Sequence, residues 1–408
     1  MKRFLLLALC CVSVLSLSAA DKKAEVSLYG FVTNQMYWQN RQNFQANDGL
    51  LNFFPKDVAH NDKDEDLNDQ FNMSMMAINS RLGVILNGPQ ILGANASALV
   101  EADFSSAGML FFLRQGYIKF EWDRNIVLFG QTGHPMCTDM MPGTINIAVG
   151  SPFNPLNRSP MLRYDHRFGE NKYLTLTGAA IYQYVSGKST GPEGMSNIYQ
   201  RNCGVPELWA GLNYTKKGFT VEGGFDWEYL KPRTTDSQGH KVDEHVTCWS
   251  AMLQVGYNKG RFNVRAKTLY GYNMSHLNLA SGYGVSAINS DGSYEYAPLK
   301  ATSSWVFVQY GRQWKVGLLG GFMKNLGADK DLVNPSELLW VYSGNERNID
   351  LIYRVCPQIE FFAGNFSFGL EYEMTAVDYG NTINSNGTVS DTYNVRNNRL
   401  MLVTKYSF

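Results

Sequence analysis

Apolar and polar residues alternate with period two through most of this chain. In residues 219–229, Phe219, Val221, Phe225, Trp227 and Tyr229 share one side, and Thr220, Glu222, Asp226 and Glu228 share the other. In 262–272, Phe262, Val264, Ala266, Tyr270 and Tyr272 oppose Asn263, Arg265 and Lys267. In 349–361, Ile349, Leu351, Tyr353, Val355, Ile359 and Phe361 oppose Asp350, Arg354, Gln358 and Glu360. Phe366, Phe368, Leu370, Tyr372, Met374 and Ala376 likewise oppose Glu371 and Glu373, and at the chain end Leu400, Leu402, Tyr406 and Phe408 oppose Arg399 and Lys405. Successive side chains of a strand point to opposite faces, so each stretch predicts a strand with one greasy and one polar side. Charges stand in the middle of the polar registers, where a packed interior rejects them. Aromatics such as Trp249 and Tyr257 close both ends of an apolar register, as side chains do at two lipid–water boundaries.

The stretches have the length that crosses a bilayer when tilted, and about sixteen fit into the chain. Short polar or glycine connections fall near 87–93, 123–125, 169–171, 216–218, 258–260, 311–313 and 363–365. Between them lie mostly longer ones: 39–67, 133–160, 186–207, 231–244, 274–300, 324–347 and 380–394, with 105–108 the short exception. Such sorting predicts an all-β, transmembrane, antiparallel up-and-down β-barrel with short periplasmic turns and long external loops. A soluble sandwich or propeller has no reason to sort its connections this way. The last strand is expected to pair with the first, 26–38, and remove the final sheet edge. Tyr406 and Phe408 then form a terminal signal for the barrel-assembly machinery. Two stretches depart from the pattern. In 111–122, Arg114 shares a register with Ile118, Phe120 and Trp122, which implies a bulge or a position above the membrane. Residues 304–310 are apolar on both sides, which implies contact with a neighbouring subunit.

Composition narrows the functional classes. The 408 residues carry a formal net charge of +0, so no nucleic-acid partner is implied. Aromatic content is 13% and charged content 18%, the latter below the usual quarter. Residues 1–20 have the layout of a signal peptide: Lys2 and Arg3, an apolar run over 4–17, then Ser18-Ala19-Ala20. Leu9 before Cys10 argues against lipidation, and the expected mature domain is 21–408. No later stretch is long and apolar enough for a spanning helix. Cys137, Cys203, Cys248 and Cys356 match no zinc or redox spacing, leaving a Cys137–Cys203 disulfide and free thiols both open. His60, His134, His166, His240, His245 and His276 fall mostly in loops without ligand spacing, so no metal or cofactor is expected. No serine–histidine pairing points to an enzyme. The acidic run 61–69 lacks the calcium-loop order, and is either a solvated loop or a loose divalent-ion site bridging lipopolysaccharide.

Residues 27–131 resemble the front half of a Gram-negative outer-membrane porin. The resemblance rests on Leu28-Tyr29-Gly30, Asn79-Ser80-Arg81-Leu82-Gly83-Val84, Leu92-Gly93 with Ala98-Leu99-Val100-Glu101, Arg114-Gln115-Gly116-Tyr117-Ile118, and Phe129-Gly130-Gln131, in that order, together with Phe408. The trimeric sixteen-stranded porins, including the DcaP-like branch, are the group it points to. That branch carries an N-terminal periplasmic extension, whereas only residues 21–25 precede the first strand here. The resemblance implies a homotrimer of water-filled barrels in the cell outer membrane. It also implies that the third external loop, 133–160, folds inward to narrow each barrel, with His134, Asp139 and Arg158 at the eyelet unless they stand exposed outside. That loop carries Pro135, Pro142, Pro152, Pro155 and Pro160, which stiffen it. Parity puts the cations Arg81, Arg163, Arg265, Lys267, Arg354, Arg399 and Lys405 on the lumen side, with Arg114 added as a pore-lining candidate. The same parity places Glu101, Asp103, Glu222, Asp226, Glu360, Glu371 and Glu373 there. The expected function is passive diffusion of small hydrophilic solutes, with a basic wall favouring anions or dicarboxylates. The alternative is a barrel-anchored adhesin or structural protein with a plugged lumen.

Overall fold

A computed structural model describes residues 25–47, 49–105, 110–148, 150–184, 186–340 and 347–408; the expected signal peptide, 1–20, lies outside them. β1 (Glu25–Gln39) leads into a hairpin, β2 (Asn43–Ala46) and β3 (Leu51–Pro55), and then into a wall strand split into β4 (Asn72–Met76) and β5 (Arg81–Ile91). The wall continues through β6 (Ala94–Asp103), β7 (Phe112–Glu121), β8 (Asn125–Gly133), β9 (Arg158–Phe168) and β10 (Leu174–Ile181). It goes on through β11 (Glu207–Lys216), β12 (Phe219–Leu230), β13 (Val246–Lys259) and β14 (Phe262–Tyr272). β15 (Gly282–Ile288), β16 (Tyr294–Pro298) and β19 (Leu339–Trp340) make a separate three-stranded sheet. The remaining wall strands are β17 (Lys300–Gly311), β18 (Trp314–Gly327), β20 (Ile349–Ala363), β21 (Phe366–Ile383) and β22 (Val389–Ser407). Each pairs antiparallel with its wall neighbours, and β22 pairs with β1. With β4 and β5 taken as one, sixteen strands close into a barrel.

The alternation in the sequence becomes inside and outside. Leu400, Leu402, Tyr406 and Phe408 are exposed, while Arg399 and Met401 between them are buried. Phe219, Phe225, Leu253, Trp314, Val316 and Leu318 are exposed in the same way. An outer surface of this kind fits hydrocarbon rather than water. Short turns gather at one end of the barrel and long loops at the other. Lys217 and Gly218 take φ of 50° and 86°, the left-handed pair of a two-residue hairpin turn. A Cβ on Gly218 would sit 2.2 Å from the Asn258 carbonyl oxygen, so only glycine fits there.

Two expectations change, and one left open is settled. Residues 380–394 are not a long loop: β21 and β22 extend beyond their neighbours and join through 384–388. Arg114 enters the lumen through a bulge, since Glu101 pairs with Gln115 and Ala102 with Leu113, leaving Arg114 between rungs. In β17 the second apolar side, Trp305 and Phe307, faces inward and is buried. A Cβ on Gly143 would lie 2.8 Å from the Phe307 ring. The inner cover of this strand is therefore the chain's own loop, not a neighbouring subunit.

The seam joins the two chain ends. Phe31 lies opposite Ser407 and Gln39 opposite Arg399. Gly30 and Phe408 exchange both backbone hydrogen bonds at 3.0 Å. A Cβ on Gly30 would fall 2.3 Å from the Arg81 carbonyl oxygen and 2.8 Å from the Phe408 ring. Gly30→Ala is therefore expected to spoil the closing rung, lowering the temperature at which the barrel loses its compact migration on a denaturing gel. Unchanged heat-modifiability would show that the seam tolerates a methyl group there.

Candidate functional site

The loop 134–157 runs inside the barrel and is held there mainly by wall side chains. His134 starts it: its backbone N–H donates to Asn157 at 3.0 Å, and its Nδ1 accepts the Met136 N–H at 3.1 Å, capping the short helix Pro135–Thr138. Lys267 Nζ then donates to the Met136 carbonyl at 2.6 Å and to Asn154 Oδ1 at 3.0 Å. Arg265 donates to the Met141 carbonyl at 2.8 Å, and Gln358 to that of Gly143 at 2.9 Å. Glu371 accepts the N–H groups of Ile145 and Asn146 at 2.9 and 3.3 Å. Arg354 donates to the Ser151 carbonyl at 2.7 Å and Ser303 to that of Phe153 at 2.9 Å. The loop so lines the inner faces of β14, β17, β20 and β21. Non-regular backbone at membrane depth is tolerated only when its peptide groups find partners of this sort.

This lining divides the charges placed on the lumen by parity. Lys267, Arg354 and Arg399 are 2%, 3% and 1% exposed and lie under loops rather than in open water. Arg354 also donates to the Asn52 and Phe53 carbonyls at 3.0 and 2.7 Å and faces Glu373 at 3.3 Å. Arg399 stacks on the Tyr37 ring at 3.6 Å and donates to the Gly49 carbonyl at 2.9 Å, holding the first long loop. Lys405 stays half-buried beside the Phe31 ring.

On the other half of the wall Arg81, Lys119, Arg163 and Arg167 are partly open, while Arg114, Glu101 and Asp103 are buried. Arg81 and Arg114 both meet Glu101, at 3.5 and 3.2 Å, and Arg114 also bonds Asp103. Arg158, at the foot of β9, lies within electrostatic reach of both arginines. Arg163 joins Asp165 at 2.9 Å and Asp139 of the loop at 3.4 Å. Lys119 and Arg167 share Glu121, both at 3.0 Å, and their side chains are about a third exposed. The structure thus brings Asp139 to Arg163, and Arg81, Glu101, Asp103, Arg114 and Arg158 to one neighbourhood. His134 stands apart from both groups.

His134 lies in a buried polar cluster. Its Nε2 is 2.7 Å from Glu207 Oε1 and 3.7 Å from Asp226 Oδ1. His276, from the loop 273–299, puts Nε2 3.4 Å from Asp226 Oδ2 and 3.8 Å from Glu207 Oε1, and Nδ1 2.7 Å from Glu228. Burial opposes a charged His276, yet Glu228, Glu207 and Asp226 raise its pKa well above the ordinary histidine value. Spacing along the chain gives no sign of this gathering, because 73 residues separate His134 from Glu207. The expectation that the histidines stand apart is therefore corrected for these two. All four cysteines are free, which removes the Cys137–Cys203 disulfide, and burial pushes the Cys137 thiol up to about 12. In the acidic run, Asn61 Oδ1 accepts the N–H groups of Lys63 and Glu65, a self-bonded surface turn.

No protein-family model and no curated protein matches the chain. Among solved structures, it is similar to the outer membrane channel DcaP of Acinetobacter baumannii. The identity is 18%, the TM-score 0.67, and the match covers 97% of this chain and 100% of that one. It is also similar to the anion-selective porin from Comamonas acidovorans, at 9% identity and TM-score 0.56, over 95% of this chain and 100% of that one. Salmonella typhi OmpF, in complex with daunomycin, gives 13% identity and TM-score 0.53 over 94% and 97%. At such identities the likeness is one of architecture: the chain has the sixteen-stranded porin fold.

Arg354 is the wall group with the most bonds to loop backbone. Arg354→Ala is expected to take the cation away from buried Glu373, which keeps only its bonds from Asn52 and Thr375, and to cost about 3–5 kcal/mol of stability. Denaturant unfolding followed by tryptophan fluorescence measures this, and a loss below about 1 kcal/mol would contradict the anchoring role.

Proposed function

We propose that this protein is an outer-membrane porin, a water-filled channel for passive diffusion of small hydrophilic solutes. The observation that carries the reading is the asymmetry of the lumen. An inward loop is bonded to one half of the wall, while the facing half keeps Arg81, Lys119, Arg163 and Arg167 partly exposed. That is how a barrel is narrowed without being sealed. The apolar outer belt and the signal-like residues 1–20 support an outer-membrane location. Exposed Phe71, Met73 and Met75 beside the split second strand, with Leu110 and Phe111 nearby, support a homotrimer that covers them. Tyr406 and Phe408 serve as the signal for the barrel-assembly machinery in this reading, and the external loops face lipopolysaccharide.

The finer part of the proposal is a preference for small anions, dicarboxylates among them. Arg81, Arg114 and Arg158 are three cations facing two carboxylates, Glu101 and Asp103, which leaves this cluster positive on balance, with Arg81 its partly exposed member. Purified protein in a planar bilayer is expected to give stepwise conductance, with a reversal potential of anion-selective sign under a salt gradient. Arg81→Gln is expected to move that potential toward the cation-selective side and leave step size nearly unchanged. Absence of steps from folded protein would refute the channel and favour a plugged barrel. A cation-selective potential in the unaltered protein would refute the preference alone. Deleting Phe408 is expected to lower the yield of assembled barrel while the assembled fraction conducts normally; full yield would refute the signal role.

A further inference from the structure

We infer that His134, Glu207, Asp226 and His276 form a binding site for one divalent transition-metal ion of the zinc class, set where the inward loop leaves the wall. The four donor atoms lie within 4.8 Å of one another. They come from four separate places in the chain: the start of the inward loop, the first residue of β11, the upper part of β12 and the short 3-10 helix Met274–Leu277. All four side chains are 0–1% exposed.

One contact, His134 Nε2 to Glu207 at 2.7 Å, is an ordinary hydrogen bond that loading would break, but the other three distances are those of a metal site. Donors bound about 2.0–2.2 Å from a tetrahedral ion lie roughly 3.3–3.6 Å apart. Asp226 faces the two imidazoles at 3.7 and 3.4 Å, and His276 faces Glu207 at 3.8 Å. These contacts are too long for good hydrogen bonds and close to the spacing of ligands on a shared ion. Neither carboxylate oxygen of Asp226 has a hydrogen-bond partner, although the residue is buried. A buried acceptor left this way is costly unless something else satisfies it. Other buried carboxylates of the lumen make the contrast: Glu371 is occupied by two loop N–H groups, and Glu373 by Asn52 and Arg354.

The surrounding groups suit the ion. Glu228 lies 2.7 Å from His276 Nδ1, close enough to draw the ring proton to that side, and neither ring nitrogen completes a hydrogen bond, which leaves Nε2 free toward the centre of the cluster. Gln183 donates to both Glu207 and Glu228, at 2.9 and 2.7 Å, and Ser189 donates to Glu228 at 2.7 Å. Two imidazole nitrogens and two carboxylate oxygens in so small a volume favour a four-coordinate ion over calcium or magnesium, which take six or more oxygens. Binding at His134 Nε2 moves that ring's proton to Nδ1, where the Met136 N–H now points. The loop start must therefore shift slightly on loading. Glu207, Asp226 and His276 provide three ligands without that adjustment.

Because the site is buried, the ion is taken up as the barrel closes. The test is to refold the full chain in detergent with Zn²⁺ or Co²⁺, desalt it, and measure metal content by mass spectrometry. The expected result is about one ion per heat-modifiable barrel, with the visible absorption of tetrahedral Co²⁺ in the cobalt form. Asp226→Asn and His276→Ala should each lose the ion. Glu228→Gln should weaken binding about 10–100-fold. A His60→Ala, His240→Ala double variant, changed only at exposed histidines, should keep it. If the two ligand variants fail to fold, the stoichiometry of the unaltered protein and the Glu228→Gln titration decide. Folded unaltered protein without metal, or loading that survives in folded Asp226→Asn, would overturn the site.

Discussion

The constraint on which the rest depends is the satisfaction of the inward loop's own peptide groups. A segment without regular structure at membrane depth has no solvent to fall back on and few neighbours of its own kind. Here the wall supplies the partners. Glu371 takes two loop N–H groups, while Lys267, Arg265, Gln358, Arg354 and Ser303 give to loop carbonyls. The loop's path is therefore written in the polar register of β14, β17, β20 and β21. The remaining wall pairs its charges among themselves and with Asp139.

That division explains why charge sign alone is a poor guide to a barrel's interior. Lys267 and Arg163 both belong to polar registers on the inner wall. One is 2% exposed and bonded to a helix end; the other reaches across to Asp139 in the loop. The first holds the inward loop to the wall, and the second links the wall to the loop across a partly open gap.

The architecture was legible because a barrel wall is a local code: period two within strands, short and long connections between them. β1 follows from that code almost residue by residue, whereas β22 begins at Val389, inside the stretch expected to be a loop. The exceptions were long-range. The two apolar sides of β17 had no local explanation, because the cover for Trp305 and Phe307 lies about 160 positions earlier, at Gly143. The cluster of His134 and His276 was hidden for the same reason. Each histidine follows a strand end, and only the closed barrel and its folded loops bring the two within reach of Glu207 and Asp226. Arg114 was half legible: its break in the alternation marked a bulge without saying that the side chain would find Glu101 and Asp103.

The pairing of β1 with β22 sets an order of events. The strand that completes the cylinder is the last of the sixteen to be synthesised, and its partner is the first. Until β22 is made, β1 lacks one of its two neighbours, and its unmatched amides would accept any strand offered. Closure therefore waits for the last of the sixteen strands, and the interval before it is when the chain is most exposed to mispairing.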